Sequence, residues 1–371
     1  MSMNACYFLL TPDCNMSCRY CFQRNGVRSA KKVHASGAVA NKQTIDRFAA
    51  FCKKNGIERV EFFGGEPLLY KDTFLYAART LLDTVPGLKL GIVTNGTLID
   101  EEIMRFFEQE NVSVLLSLDG KRSRHNLMRG GFDRISHWFD RLVAKGQTTV
   151  AMQVSVTKGL FQHVRFIWKL GFPSVYLNVI QNYGWYQSVD IDRFESEYDA
   201  ALQAMLAGEG KLVCAIAMHR TLEASQYEVK CGITQTGLAC DWQGLLYPCH
   251  RTPELGTSFT FGDVRNGVSK RKERLCRARI NRQCFKSASA SEYPLVSFCP
   301  ITVYQRNGNF SGSWSPMFCE LINRKAKVVA KYHYEINKYC LTNLSAVENE
   351  NANVDTTHLD HGVIGNCTDR Q

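Results

Sequence analysis

Apolar and polar positions follow two rhythms over the first half of the chain. Short runs rich in apolar and β-branched residues read as strands: Ala5–Leu10, Ile57–Phe63, Leu88–Thr94, Ser113–Leu118, Thr149–Val156 and Ser174–Ile180. Between them the apolar positions recur at helical spacing. Lys42–Lys54 is one such stretch, with Ile45, Phe48 and Cys52 on one face and Gly56 as a C-terminal stop. Lys71–Thr84, Asp100–Gln109, Phe132–Ala144, Leu160–Leu170 and Asp190–Leu206 are others. Strand–helix units in series predict an α/β fold with a parallel sheet. The periodicity is satisfied equally by an open doubly wound sheet and by a barrel-like array.

After about residue 225 the alternation stops and cysteines become frequent: Cys231, Cys240, Cys249, Cys276, Cys284, Cys299, Cys319 and Cys340. The expected organisation is a core over 1–225, a small metal-organised domain over 226–340, and a loose polar tail over 341–371.

Composition narrows the class. The chain has 371 residues, 45% hydrophobic and 22% charged, enough apolar content for a sizeable core. No apolar run reaches the roughly 20 residues that span a membrane. No basic-then-apolar start marks a secretory signal. Fifteen cysteines without such a signal point to metal or redox chemistry in a reducing, cytoplasmic setting. The net charge is +10, and part of it comes from Lys270-Arg271-Lys272-Glu273-Arg274 with Arg277, Arg279 and Arg282 following. Such a block is more often a solvated face or a docking surface for an acidic partner than a nucleic-acid site. It lacks the interleaved aromatics of single-strand binders.

The chemistry-bearing motifs fall at the predicted C-terminal ends of strands, where ligands bind in parallel α/β folds. Cys14, Cys18 and Cys21 follow the first strand with the spacing C-x3-C-x2-C. Three thiolates on one loop leave a position open if a cluster wants four ligands. Gly64-Gly65-Glu66-Pro67 follows the second strand, Thr94-Asn95-Gly96-Thr97 the third, and Ser117-Leu118-Asp119-Gly120 the fourth, with His125 and Arg129 after it. Singly these are turn sequences; their value lies in sharing one face.

Cys14 to Cys21, with Tyr20 before the last cysteine, resembles the signature of the radical SAM superfamily, and Gly64–Pro67 resembles its GGEP motif. The third and fourth motifs are similar to those of the subgroup that includes sulfatase-maturating enzymes and peptide maturases. The resemblance covers roughly 5–180. It implies a partial (β/α)6 TIM-like barrel and a [4Fe–4S] cluster on Cys14, Cys18 and Cys21. It further implies S-adenosylmethionine on the remaining iron. The backbone of Gly64 and Gly65, with Glu66, would hold its amino group. Tyr20 would lie near the adenine, and Ser117 and Asn95 would contact the carboxylate or ribose region. Arg129 would help to hold the carboxylate.

Cys231 followed by Gly244-Leu245-Leu246-Tyr247-Pro248-Cys249-His250 resembles the opening of a SPASM domain, which usually carries two auxiliary [4Fe–4S] clusters. One auxiliary cluster is expected from Cys231, Cys249, Cys299 and Cys240. A second would use Cys276, Cys284 and Cys319, whose spacing departs from the family pattern. A structural zinc on these thiolates is the plainer alternative. Cys6 and Cys52 read as core residues.

The resemblance implies an enzyme that generates a 5′-deoxyadenosyl radical and oxidatively modifies a peptide or protein side chain. A flavodoxin- or ferredoxin-type electron donor is expected, and the protein is expected as a monomer. Little sequence precedes Cys14, so a leader-binding partner would be a separate protein, or none. Dehydrogenation or epimerisation of a small molecule is the second reading. His250 stands where sulfatase maturases have their Asp base, which lowers that reading. A zinc-binding nucleic-acid module is the reading from another class.

Overall fold

The computed structural model describes residues 4–25, 36–155, 157–180, 185–213, 215–216, 237–288, 299, 301, 304–305, 308 and 316–342. Contacts divide the chain into two compact units. The first comprises 1–117, 125–148 and 233–282; the second comprises 118–124, 149–232 and 283–371.

In the first unit β1 (Ala5–Thr11) is central. It pairs in parallel with β2 (Arg59–Gly64), which pairs with β3 (Lys89–Thr94), which pairs with β4 (Ser113–Ser117). A one-turn helix α1 (Phe22–Asn25) follows the cysteine loop. α2 (Lys42–Lys54) covers one face of β1. Its N-cap Asn41 accepts from Thr44 N at 2.9 Å, and Ile45, Phe48 and Cys52 are buried as the spacing predicts. Phe8 of β1 meets Phe48 at 4.3 Å between ring centres, and Phe62 of β2 meets Phe74 of α3 (Lys71–Thr84) at 4.9 Å. Each such fully buried aromatic contributes on the order of 1.5–3 kcal/mol. α4 (Glu101–Gln109) starts at Asp100, whose carboxylate accepts from Ile103 N at 3.0 Å and from Lys71 Nζ at 2.7 Å.

The fourth crossover differs from the pattern. α5 (Arg122–Met128) is an element that the periodicity did not resolve, and the expected helix over 132–144 is two: α6 (Phe132–Ser136) and α7 (Phe139–Ala144). The break falls at His137-Trp138, whose rings pack edge to face at 4.9 Å.

The second unit carries β5 (Thr148–Val154), β6 (Ser174–Val179) and β7 (Lys211–Leu212) in parallel, with α8 (Leu160–Lys169) and α9 (Ser188–Leu206). α9 begins with a capping box between Gln187 and Asp190.

The described residues after 225 are more regular than the cysteines there suggested. β8 (Ala239–Cys240) adds to β1 in parallel, and β9 (Leu245–Tyr247), β10 (Gly262–Asp263) and β11 (Gly267–Val268) continue that edge antiparallel. Beyond it come helices α10 (Lys270–Ala288), α11 (Pro316–Lys331) and α12 (His333–Thr342). α11 packs on α9, where Arg324 pairs with Glu195, and Lys331 reaches Asp199 at 2.9 Å. Among the described residues no helix is long and apolar enough to cross a membrane.

Candidate radical-cluster site

β1 ends at Thr11, and its exit Pro12-Asp13 runs straight into the cysteine loop. Asp13 fastens that exit. Its carboxylate accepts from Ser36 N at 3.0 Å, Ser36 Oγ at 2.7 Å, Gly37 N at 2.8 Å and Tyr70 OH at 2.9 Å. Burial pushes the Asp13 pKa up, but these donors outweigh it and hold it below the ordinary carboxylate value.

The Gly-Gly-Glu-Pro turn packs against the same exit. Gly65 N donates to Thr11 O at 2.9 Å and Glu66 N to Asp13 O at 2.8 Å. A Cβ on Gly64, where φ is +130°, would stand 2.2 Å from Thr11 O, and one on Gly65 would stand 1.9 Å from Asp13 O. The two glycines are therefore needed first by the chain itself. The amides of residues 65 and 66 are spent on β1 and its exit; an ammonium, which only donates, would be held here by acceptor oxygens.

Glu66 is 1% exposed. It accepts from Leu68 N at 3.1 Å, Thr94 Oγ1 at 2.7 Å and Asn95 N at 2.8 Å, which ties the end of β2 to the end of β3. Burial raises its pKa to about 7 against these donors.

Asn95 then joins β3 to the cysteine loop. Its Nδ2 donates to Asn15 Oδ1 at 3.0 Å, while Asn15 Nδ2 donates to Thr97 Oγ1 at 2.9 Å. Asn95 Oδ1 accepts from Thr97 N at 2.9 Å and from Thr97 Oγ1 at 2.6 Å. A second fastening comes from the end of α5. Arg19 N donates to Met128 O at 3.0 Å, and the Arg129 guanidinium lies 5.1 Å from the Tyr20 ring centre. Arg129 Nη1 is 4.0 Å from Cys18 Sγ. Ser117 ends β4 and is buried.

Cys18 is buried, and Cys14 and Cys21 are half-buried. Burial, and then the charge of Glu66, push the Cys14 thiol up to about 12, with Cys18 and Cys21 adding repulsion. Among the described residues no three His, Cys, Asp or Glu side chains converge on a single metal ion. An iron–sulfur cube asks for something different: one thiolate on each iron, spread around the cluster. Three thiols on one fastened loop fit that demand. They would be deprotonated by the iron they bind, so loading releases protons.

Two motif residues turn out to hold the chain together. Asp119 Oδ1 accepts from Gln153 N at 3.1 Å, and His125 Nε2 lies 3.0 Å from Gly130 O. Sequence reasoning missed Asp13, Asn15 and Thr97; the one signal was an asparagine inside the cysteine spacing together with a Thr-Asn-Gly-Thr turn elsewhere.

The later cysteines separate by environment. Cys240 is fully buried beside Cys6 and Cys52, in register with Phe8 on the face covered by α2. That company is a packing environment. Cys249 is half-buried, its Sγ 3.5 Å from Arg251 N. The next residue, His250, packs its ring 4.5 Å from both Tyr7 of β1 and Phe63 of β2, and the Arg251 guanidinium lies 4.5 Å from the ring centre of Phe22, directly after Cys21. Cys276 and Cys284 both fall on α10. Eight residues of helix separate them by about 12 Å along the axis. Cys319 is half-buried on α11 and Cys299 is buried. Cys231 lies outside the described residues.

Residues 8–160 match the Radical SAM superfamily. The chain thus carries a radical SAM domain, whose chemistry uses a [4Fe–4S] cluster and S-adenosylmethionine. Its relatives include an uncharacterized protein of Archaeoglobus fulgidus, 28% identical over 167 residues, 44% of this chain and 37% of the relative. Another is a probable GTP 3′,8-cyclase of Methanocella arvoryzae, 28% identical over 156 residues, 41% and 47% of the two chains. The chain thus matches less than half the length of these curated relatives. Among solved structures, anSMEcpe with bound AdoMet aligns with TM-score 0.71 at 16% identity, over 90% of this chain and 98% of that one. Streptococcus suis SuiB bound to its precursor peptide SuiA aligns with TM-score 0.62 at 15% identity, over 86% and 76%. The shared architecture is the α/β fold with a parallel, partial-barrel sheet.

Proposed function

We propose that this enzyme modifies a peptide or protein side chain by hydrogen abstraction, ending in a net oxidation such as a cross-link or a dehydrogenation. The observation that carries the reading is the packing of His250 and Arg251, the two residues after Cys249, onto β1, β2 and the residue after Cys21. It brings a second thiol-bearing segment to the first cysteine loop, where an electron leaving a substrate radical needs an acceptor. The precursor peptide bound to SuiB supports a peptide as the substrate.

When bound, the cluster and S-adenosylmethionine supply a 5′-deoxyadenosyl radical that takes hydrogen from an unactivated C–H bond. The chain's part is placement. Cys14, Cys18 and Cys21 would hold the cluster. Acceptor oxygens of Gly64, Gly65 and Glu66 would hold the methionine ammonium, with Ser117 and Asn95 beside the carboxylate and ribose. Tyr20 would lie by the adenine, its ring fixed by Arg129. Residues 226–340 would form the auxiliary-cluster domain, with Cys231, Cys249 and Cys299 as its ligands. An electron donor of the flavodoxin or ferredoxin type would reduce the first cluster.

The similarity to GTP 3′,8-cyclases favours a nucleotide as the second reading. One experiment separates them. Anaerobically reconstituted protein is given dithionite, S-adenosylmethionine and either a random peptide pool or GTP. Mass spectrometry should find peptides lighter by two hydrogens, with matching 5′-deoxyadenosine. A GTP-derived product with an untouched peptide pool overturns the proposal.

A further inference from the structure

The basic residues Lys270 to Arg279 fall on the first half of α10. Lys270, Arg271, Lys272, Arg274 and Arg279 are all exposed, and Leu275 stands among them 54% exposed. The one acidic residue of this stretch, Glu273, turns inward to Arg277 at 3.1 Å, although Lys270 reaches back to it at 3.4 Å. Arg277 is itself buried, donating to Gly237 O at 2.8 Å above the Phe261 ring. The outward face therefore keeps its cations, and among the described residues Arg271, Lys272 and Arg274 make no ion pair.

This arrangement works against the helix that carries it. Lys270, Arg271 and Lys272 occupy the first turn, where the helix dipole disfavours positive charge. Lys270 and Arg274 are like charges at i and i+4, and Arg271 and Arg274 at i and i+3. An apolar side chain at the centre adds exposed hydrocarbon. Each of these costs is relieved together by an occupant that brings carboxylates around an apolar residue.

We infer that the outward face of α10 docks an acidic peptide segment with an apolar anchor over Leu275. The inference rests on the peptide reading above and identifies the segment as a part of the substrate distinct from the modified residue. Charge complementarity of this kind steers association and weakens with salt, whereas the apolar contact does not.

The test measures fluorescence anisotropy of a labelled octapeptide of six glutamates and two leucines on the anaerobically reconstituted, full-length protein. Arg271→Glu/Arg274→Glu should weaken binding about tenfold or more at low salt, the order expected for losing complementary charges. Arg271→Gln/Arg274→Gln should weaken it less. The same charge change made elsewhere, Lys53→Glu/Lys54→Glu on the exposed end of α2, should leave it unchanged. Leu275→Ser should weaken it to the same extent at low and high salt. Because acidic residues suit the first turn of a helix, the glutamate variant should melt no lower than the parent. Equal losses in the two glutamate pairs, no effect of Leu275→Ser, or displacement of the octapeptide by an equimolar duplex DNA would each overturn the proposal. Binding of the probe requires no turnover, so failure of this surface and failure of peptide modification are read separately.

Discussion

Gly65 tolerates no side chain. With the alanine Cβ at 1.9 Å from Asp13 O, Gly65→Ala must push the turn off the exit of β1. Overpacking costs about 1–3 kcal/mol, and the displaced backbone belongs to the cysteine loop. The expected outcome is a lower melting temperature together with lost iron after reconstitution. Gly56→Ala, with open space around its Cβ but φ at +65°, should lower stability and keep the iron. Lys145 offers a different handle. Its Nζ donates to Val112 O at 2.7 Å, and burial lowers its pKa to about 8, with the charge of Glu108 opposing. From about pH 8 to 10.4 the unfolded chain keeps a proton that the folded chain has shed, so stability gains with pH across that window. Urea midpoints of the parent should gain on those of Lys145→Met between pH 7.5 and 9.5; a constant gap removes the effect.

At the scale of elements, Asp100 illustrates local control. It caps α4 and accepts from Lys71 at the start of α3. Asp100→Ala should cost about 1 kcal/mol by urea unfolding and leave cluster loading unchanged. Such caps and the strand–helix alternation are written in neighbouring residues, which is why β1 to β6 and α2 were legible in the chain. α10 was not, because its charged face hides the helical period and its cysteines invited a metal reading. The split of α6 from α7 was not legible either, since it turns on how His137 and Trp138 pack. The same holds for the site. The cysteine spacing and the Gly-Gly-Glu-Pro turn were visible as short strings, whereas the pairing of Asn15 with Asn95 joins positions 80 residues apart and needs the topology of β1, β2 and β3 to bring them together.

At the scale of the molecule, the two sets of thiols should fail differently. Cys18→Ala should abolish 5′-deoxyadenosine formation altogether. Cys249→Ala should leave formation of 5′-deoxyadenosine intact while the modified peptide disappears; full product yield from that variant would remove Cys249 from the reaction. The cysteine loop also bears on how the protein is made. Protein hydrogen bonds hold it from three sides: Asp13 with Ser36 and Tyr70, Asn15 with Asn95 and Thr97, Arg19 with Met128. A zinc finger, by contrast, gets its shape from its metal. These contacts predict that iron loading follows folding of the loop. A chelator should bleach the protein without melting it, and fresh iron and sulfide should restore it through repeated rounds.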